Sequence, residues 1–379
     1  MAGTLLKQHV PVHPHERWAD YNFQSVRRSA EMSVLTIEQE SMTASTTRKL
    51  GKAKITCVGT GVPPGLLTNA DLEKLVSTTD DWILERTGIR QRHIVEKGVA
   101  TSDLATEAAQ KVLAKTGVDP KDIDLIIVAT ITPDMQLPAT ACLVQNNIGA
   151  TKAWGFDLSA ACSGFLYALQ TAVQFVSTGA HKNIIVIGVD VMSSIIDYTD
   201  RKTCVIFGDG GGAALVQRAE DDEENTIIDF LHEVDGSGGN ALCLPGGGSR
   251  NGTSHETVDQ RLHYVHQDGQ AVFKFATRKM ADVCSRLLER NGLTGNDIDV
   301  FIPHQANKRI IDSAADRLGM PRERTIINID EFGNTTAGTL PLAMQSAMDR
   351  GMLKKGDLVL LATVGAGFSV GACLLRWAY

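Results

Sequence analysis

Three polar residues stand where an α/β chain can put them to chemical use: Cys162, His304 and Asn334. Cys162 lies in Asp157-Leu-Ser-Ala-Ala-Cys162-Ser-Gly-Phe-Leu-Tyr-Ala-Leu169, flanked only by small residues. Ala153 to Phe156 before it reads as the end of a buried strand. Phe165, Leu166, Leu169, Ala172, Val173 and Val176 after it recur at helical spacing, with Gly179 as the stop signal. A thiol where a strand turns into a helix meets unpaired N–H groups and the positive end of the helix dipole, and both favour the nucleophilic thiolate. A buried structural cysteine fits this segment equally well. His304 follows the apolar run Phe301-Ile-Pro303 and opens a helix containing Ile310, Ile311 and Ala314. That is the carboxyl end of a strand, where α/β sheets hold ligands, although a core histidine fits it as well. Asn334 follows Gly333 and precedes a helix with Leu342, Ala343 and Met344, the position of a ligand-facing amide or of a plain turn asparagine.

The elements that must position these residues fall into two similar halves, 52–225 and 226–379, after a dissimilar segment 1–51. Thr116-Gly-Val-Asp-Pro-Lys-Asp-Ile-Asp-Leu-Ile-Ile127 resembles Asn291-Gly-Leu-Thr-Gly-Asn-Asp-Ile-Asp-Val-Phe-Ile302. A helix is predicted before each and another after each, ending at Gly149 and Gly319. Strand–turn–strand segments are predicted to close the halves at Thr203–Gln217 and Leu358–Arg376. Thr68-Asn69 and Ser102-Asp103 are predicted to cap helices. Two βαβ-rich halves packed about a pseudo-two-fold axis predict a layered α/β/α/β/α domain. Residues 1–51 lack periodicity, which predicts a disordered N-terminal extension, with His9, His13 and His15 as tail residues rather than a metal site.

Composition narrows the function. The net charge of −7 argues against a nucleic-acid binder. No apolar run approaches the roughly 18 residues of a membrane span. The seven cysteines are scattered without a Cys-x-x-Cys pair, which argues against a disulfide framework and a zinc site and predicts a reducing, cytoplasmic setting. The run Gly208-Asp-Gly210-Gly-Gly-Ala213 loosely fits a dinucleotide pattern, but a strand rather than a helix is predicted to follow it.

Together the motifs resemble the β-ketoacyl-acyl-carrier-protein synthase III family, of thiolase-like fold, over residues 52–379. They are Ala161-Cys162-Ser163-Gly164, His304-Gln-Ala-Asn307 and Gly333-Asn334-Thr335, with Asp81-Trp82-Ile, Arg86-Thr87-Gly88-Ile89, Asp200-Arg201, Phe207-Gly-Asp-Gly210 and Gly365-Ala-Gly-Phe368. Val364 and Val370 stand where that family often carries Phe and Trp. The resemblance implies a five-layer α/β/α/β/α fold and a two-step reaction: an acyl group passes from acyl-CoA to Cys162, then malonyl-acyl-carrier-protein is decarboxylated and condensed with it. It implies an acyl oxyanion held by backbone N–H groups of Cys162 and the Gly365, Ala366, Gly367 loop, and an enolate held by neutral His304 through Nε2–H and by the Asn334 amide. No metal and no cofactor is implied, CoA and the carrier protein being substrates. Thr78, Trp82, Arg86, Thr87, Arg201, Phe273, Ala306 and Asn307 match CoA-binding positions; Lys274, Gln305, Ala306, Asn307, Lys308 and Arg309 match a carrier-protein face. The family pairs as homodimers, with Leu137 at a position reaching the partner's acyl pocket. A related acyltransferase or condensing enzyme of secondary metabolism would use the same cysteine.

Overall fold

The computed structural model describes residues 51–379, so the extension predicted for 1–51 lies outside the described residues apart from Gly51, whose N–H donates to Ser177 O. The described residues build two large sheets that share one order of strands, beside two small two-stranded ones. The first contains β1 (Ala53–Gly61), β2 (Leu125–Ala129), β3 (Trp154–Leu158), β4 (Asn183–Asp190) and β5 (Gly210–Arg218). Their order is β1-β5-β4-β2-β3, antiparallel across the first two pairs and parallel across the last two. The second contains β6 (Ile227–Val234), β7 (Val300–Pro303), β8 (Leu358–Gly365) and β9 (Ser369–Arg376), in the order β7-β8-β9-β6. Read from β6, its pairs are antiparallel, antiparallel and parallel, the same sequence as in the first sheet. The counterpart of β3 has shrunk to a single parallel bridge between Phe301 and Thr325.

Among the described residues, seven helices of eight residues or more complete five layers. They are α1 (Asp80–Thr87), α2 (Thr101–Thr116), α3 (Thr140–Ile148), α4 (Gly164–Ser177), α5 (Gly269–Arg290), α6 (Lys308–Leu318) and α7 (Thr339–Asp349). The alternation of side chains along each strand sorts the layers. Leu125 and Ile127 of β2, with Val359 and Leu361 of β8, face a central core filled by α4 and α7. Ile126 and Val128 face outward onto α2 and α3, while Leu358 and Leu360 face outward onto α5 and α6. Both sheets are covered on both faces, which is why β2 and β8 read as unbroken apolar runs. α4 is apolar nearly all round because it lies between two sheets, and its Phe165, Leu166 and Leu169 are fully buried. Replacing Leu169 by Ala there would cost about 2–5 kcal/mol.

Local expectations shift in three places. α2 starts at Thr101 behind Ala100, and Asp103 closes the helix end by accepting the Ala100 N–H at 2.8 Å, so Ser102 is not the cap. Thr68 does cap a helix, but that helix stops at Leu72 and leaves Leu75 exposed. The predicted strand–turn–strand at Thr203–Gln217 is absent: Asp200 caps a short helix, Arg201–Cys204, and only Gly210–Arg218 is a strand. The apolar residues Val205 and Phe207 of that segment pack with Met192 and Ile196 in a satellite core. The glycine run at 208–212 is close packing, since a Cβ on Gly208 would lie 2.4 Å from Phe332 O and one on Gly211 2.2 Å from Gly188 O.

Candidate active site

The turn between β3 and α4 carries Cys162. Ala161 takes the left-handed conformation, φ 46°, and Ala161–Ser163 form a single 3-10 turn that presents the thiol. A chain of buried hydroxyls ties this turn to the β8–β9 hairpin: Ser163 Oγ to Ser369 Oγ at 2.9 Å, and Thr363 Oγ1 to Ser163 Oγ at 3.2 Å. The hairpin in turn reaches the cysteine. A Cβ on Gly365 would lie 2.9 Å from Cys162 Cβ, and the backbone N–H groups of Cys162 and Ala366 stand close enough to the sulfur to favour its charged form. Burial pushes the Cys162 thiol up to about 12, and the charge of Asp190 adds to this against the two N–H donors. The thiolate favoured by the helix-end argument is therefore not the resting form. The turn supplies one N–H, that of Cys162, and the hairpin the other, that of Ala366, but losing water outweighs both.

His304 closes β7, with its N–H donating to Ala362 O at 2.7 Å. Its ring is fully buried, and burial lowers its pKa to about 3, so the imidazole is neutral. Nδ1 lies 2.6 Å from Thr339 Oγ1, and Nε2 has no partner among the described residues. Asn334 is held by a parallel bridge to Phe207 beside Gly333, φ 66°. Its Oδ1 accepts the Thr336 N–H at 2.9 Å, which leaves Nδ2 as the donor end of the amide. Thr336, a β-branched residue at φ 54°, is strained in the same way as Ala161.

Two cavities meet at Cys162. The outer one, about 400 Å³, runs from Trp82, Arg86 and Arg201 to Cys162, His304 and Asn334. The inner one, about 270 Å³, continues from Cys162 between Ile131, Met192, Ile195, Leu244 and Val265. At the mouth the Arg201 guanidinium sits 4.8 Å from the Trp82 ring centroid and donates to Ser77 O at 2.9 Å. Arg309 covers Phe273 in the same way at 5.0 Å.

Of the residues expected at the site, Trp82, Arg86, Thr87, Cys162, Arg201, Phe273, His304, Ala306, Asn307, Arg309, Asn334 and Gly365 share the outer cavity. The Thr87 hydroxyl is spent on Ile83 O at 2.6 Å, and the Asn307 amide caps α6 and donates to Arg86 O. Ala366 lines the inner cavity, and Gly367, φ 137°, turns the chain behind it. Thr78 is outside the lining of both cavities, Lys274 is exposed on α5, and Lys308 pairs with Asp312 at 2.6 Å. Leu137 is 82% exposed and lines neither cavity of its own chain. Gln305 corrects an expectation. It was expected on the carrier-protein face, yet it is buried, donating to Pro303 O and Ile326 O and accepting from the N–H groups of Asn328 and Ile329. It braces the loop between β7 and α6 and has no polar atom left for a partner.

Sequence reasoning missed two residues. Thr339 touches His304 but is one of several threonines in its run. Asp190, fully buried, accepts from the Thr130 and Thr132 hydroxyls and from the N–H groups of Ile131 and Ala337, so it joins the 130–132 loop to the Asn334 turn. Burial raises its pKa to about 6. As the last residue of an apolar strand it carried no motif.

Residues 156–236 match the family description 3-oxoacyl-[acyl-carrier-protein (ACP)] synthase III, and residues 288–377 match its C-terminal part. The β-ketoacyl-[acyl-carrier-protein] synthase III of Koribacter versatilis is 61% identical over 328 residues, 86% of this chain and 98% of that protein. The protein of the same name from Chlorobium chlorochromatii is 50% identical over 86% of this chain and 99% of its own length. Among solved structures, 3-oxoacyl-[acyl-carrier-protein] synthase III of Aquifex aeolicus is similar with 41% identity and TM-score 0.78, covering 86% of this chain and all of that one. A priming β-ketosynthase of a polyketide biosynthetic pathway shares 32% identity at TM-score 0.80, covering 87% of this chain and 97% of that one. Identity at this level over nearly the whole of each relative, on a fold whose two sheets repeat one topology, makes this chain a member of the 3-oxoacyl-[acyl-carrier-protein] synthase III family.

Proposed function

We infer that this chain is a condensing acyltransferase that initiates fatty-acid synthesis. It takes an acyl group from acyl-CoA onto Cys162, decarboxylates malonyl-acyl-carrier-protein, and joins the two as a 3-oxoacyl-acyl-carrier-protein. The observation that carries this reading is the thiol at the meeting point of two cavities, with His304 and Asn334 on the wall of the outer one. A thioester arm fits the outer cavity, and the apolar inner cavity fits the acyl chain left on sulfur. In the first step the S–C bond to Cys162 forms and the thiol proton leaves; the CoA sulfur departs and takes up a proton, so the step is proton-neutral overall. The tetrahedral oxyanion falls near the N–H groups of Cys162 and Ala366. In the second step the malonyl carboxylate leaves as carbon dioxide, and its bonding pair becomes an enolate held by His304 and the Asn334 amide. The enolate carbon then attacks the acyl carbonyl, forming the C–C bond and a tetrahedral oxyanion; its collapse breaks the C–S bond and releases Cys162 as thiolate, which takes up one proton from solvent to return to the resting thiol.

The mouth of the outer cavity fits the CoA nucleotide, with Trp82 and Arg201 as a stacking pair. Exposed Lys274 and Arg309 beside it suit an acidic carrier protein. A homodimer is supported by β3, an edge strand whose Trp154 is 48% exposed and whose Phe156 and Leu158 are half-buried, and by exposed Leu137 and Met135. Sedimentation at micromolar concentration should give a dimer; a monomer would remove Leu137 from the partner's acyl pocket. The seven cysteines are all free, which suits a reducing cytoplasm. Among the described residues no helix is long and apolar enough to cross a membrane.

The test is the mass of the intact protein after mixing with a panel of acyl-CoAs, followed by malonyl-carrier-protein. Acyl adducts should appear on Cys162 and disappear as the 3-oxoacyl product forms. A stable adduct that malonyl-carrier-protein leaves untouched would favour the second reading, an acyl transfer of secondary metabolism, for which the similarity to a polyketide priming enzyme speaks.

A further inference from the structure

We propose that Thr339 is a positioning residue that sets the tautomer of His304, its hydroxyl holding the buried imidazole in the form protonated at Nε2. The proposal rests on the reading of His304 as the enolate donor.

The hydrogen bonds allow the proton to be traced. A neutral imidazole carries one proton, on Nδ1 or on Nε2. Nδ1 lies 2.6 Å from Thr339 Oγ1. That oxygen has a single hydrogen and two acceptors within reach: Nδ1, and the carbonyl of Thr336 at 3.2 Å. The Thr336 carbonyl already accepts the backbone N–H of Thr339, so it does not need the hydroxyl. Nδ1 has nothing else. The hydroxyl therefore donates along the shorter contact, Nδ1 accepts, and the ring proton belongs on Nε2.

This outcome matters at Nε2. That atom is buried and has no partner among the described residues, on a ring that shares the outer cavity with Cys162 and Asn334. As N–H it complements the Asn334 Nδ2 end, giving two neutral donors for one oxyanion. As a bare lone pair it would repel the enolate oxygen it is there to hold. Burial makes protonating both nitrogens costly, so the site cannot bypass the choice by charging the ring. Thr339 is well placed to enforce it. It is the first residue of α7, fixed by its own backbone bond to Thr336 rather than by the histidine. Turning the hydroxyl to the Thr336 carbonyl would invert the arrangement, with Nδ1–H donating to Oγ1 and Nε2 reduced to an acceptor.

The direct test is nitrogen NMR of protein labelled with ¹⁵N-histidine, with the His304 signals identified by their loss in His304→Gln. The wild type should show a protonated Nε2 and an unprotonated Nδ1; the opposite pattern overturns the proposal. Thr339→Val then replaces the hydroxyl with a methyl group of the same shape. In other enzymes a histidine left in the wrong tautomer costs up to about ten-thousandfold. For an uncharged partner the expected loss in malonyl decarboxylation is at least about tenfold, with Cys162 acylation within about twofold of wild type. Thr339→Ser should restore both the rate and the NMR pattern, which a packing role would not require. If Thr339→Val keeps the wild-type pattern and rate, the hydroxyl does not set the tautomer. If the pattern is as proposed but His304→Gln decarboxylates normally, the enolate reading fails and the tautomer assignment stands. Should Thr339→Val not fold, the wild-type spectrum and Thr339→Ser still decide.

Discussion

Gly365→Ala probes the contact that brings the two halves together at the nucleophile. The new Cβ would lie 2.9 Å from Cys162 Cβ and 3.2 Å from Cys162 N. Ordinary carbon contacts begin near 3.5–4.0 Å, so one side must retreat by roughly half an ångström or more. Neither side yields easily. The cysteine turn is pinned by Ser163, Thr363 and Ser369, and Gly365 ends a strand paired to Ser369. What moves is the relation between the sulfur and the Ala366 N–H that favours its charged form. Overpacking should cost about 1–3 kcal/mol of stability. Displacing one oxyanion donor should slow acylation by about a hundred- to a thousandfold. His304 and Asn334 stand on other elements, so carbon dioxide release from malonyl-carrier-protein should stay within a few-fold of wild type. The assay follows acyl-enzyme by intact mass and carbon dioxide by label, beside a thermal melt. Acylation at the wild-type rate in a folded Gly365→Ala protein would refute the idea that this close approach aligns the oxyanion donor.

Other variants separate the remaining roles. His304→Ala and Asn334→Ala should each cut malonyl decarboxylation by about a hundred- to a thousandfold while acyl transfer to Cys162 continues, and Cys162→Ala should abolish the acyl-enzyme yet still release carbon dioxide. If Asn334→Ala loses acylation and keeps decarboxylation, the assignment of that amide to the enolate is wrong. Trp82→Ala and Arg201→Ala should each raise the acyl-CoA KM by roughly fivefold to tenfold, in line with the ~1 kcal/mol of a stacking or cation–π contact; an unchanged KM in both removes them from the nucleotide site. Stability should also report the neutral His304. Its folded pKa lies near 3 against 6.5 when free, so between those values the unfolded chain binds a proton that the folded chain does not, and stability falls as pH drops. His304→Ala should flatten the acid slope of the unfolding free energy between pH 6.5 and 4.5 by up to about 1.4 kcal/mol per pH unit; an unchanged slope would mean that His304 is protonated in the fold. His232, half-buried with a pKa lowered by desolvation to about 4, contributes with the same sign and Asp190 with the opposite one, so the comparison is with wild type rather than with zero.

The parts of the fold that were legible in the sequence are those set by burial on both faces. Leu125-Ile-Ile-Val-Ala129 is apolar throughout because α-helices cover both sides of its sheet, and its counterpart at 300–303 is visible for the same reason. Cys162, His304 and Asn334 were legible because each stands at an element end beside an apolar run. The segment 191–209 was not: its apolar residues answer to a satellite core rather than to a strand period. Gln305 was misread because a polar side chain next to a ligand-facing histidine looks exposed, whereas here it replaces backbone partners for a buried loop. Thr339 and Asp190 gave no local signal, since their roles depend on residues 35 and 147 positions away.

The repeated topology also explains why the chemistry is divided unequally between the halves. The turns that open the two central helices are equivalent: Ala161–Ser163 before α4, with Ala161 at φ 46°, and Thr336–Gly338 before α7, with Thr336 at φ 54°. The two turns touch in the middle layer, where a Cβ on Gly164 would lie 3.6 Å from Ala337 Cβ. Each turn is met by the last residue of the equivalent strand from the other half. Gly365, the eighth residue of β8, meets Cys162, and Asp190, the eighth residue of β4, accepts the Ala337 N–H. A glycine in one place and a carboxylate in the other cannot be exchanged. A carboxylate at 365 would fill the space beside the thiol and place a buried negative charge against it, whereas the Asp190 charge already raises its pKa from farther away. At 190 the carboxylate faces four donors and holds the Asn334 turn to the 130–132 loop. The half whose turn meets glycine can host a nucleophile and an oxyanion. The half whose turn meets the carboxylate is braced, and it presents neutral donors that must keep their position while charge appears on the substrate.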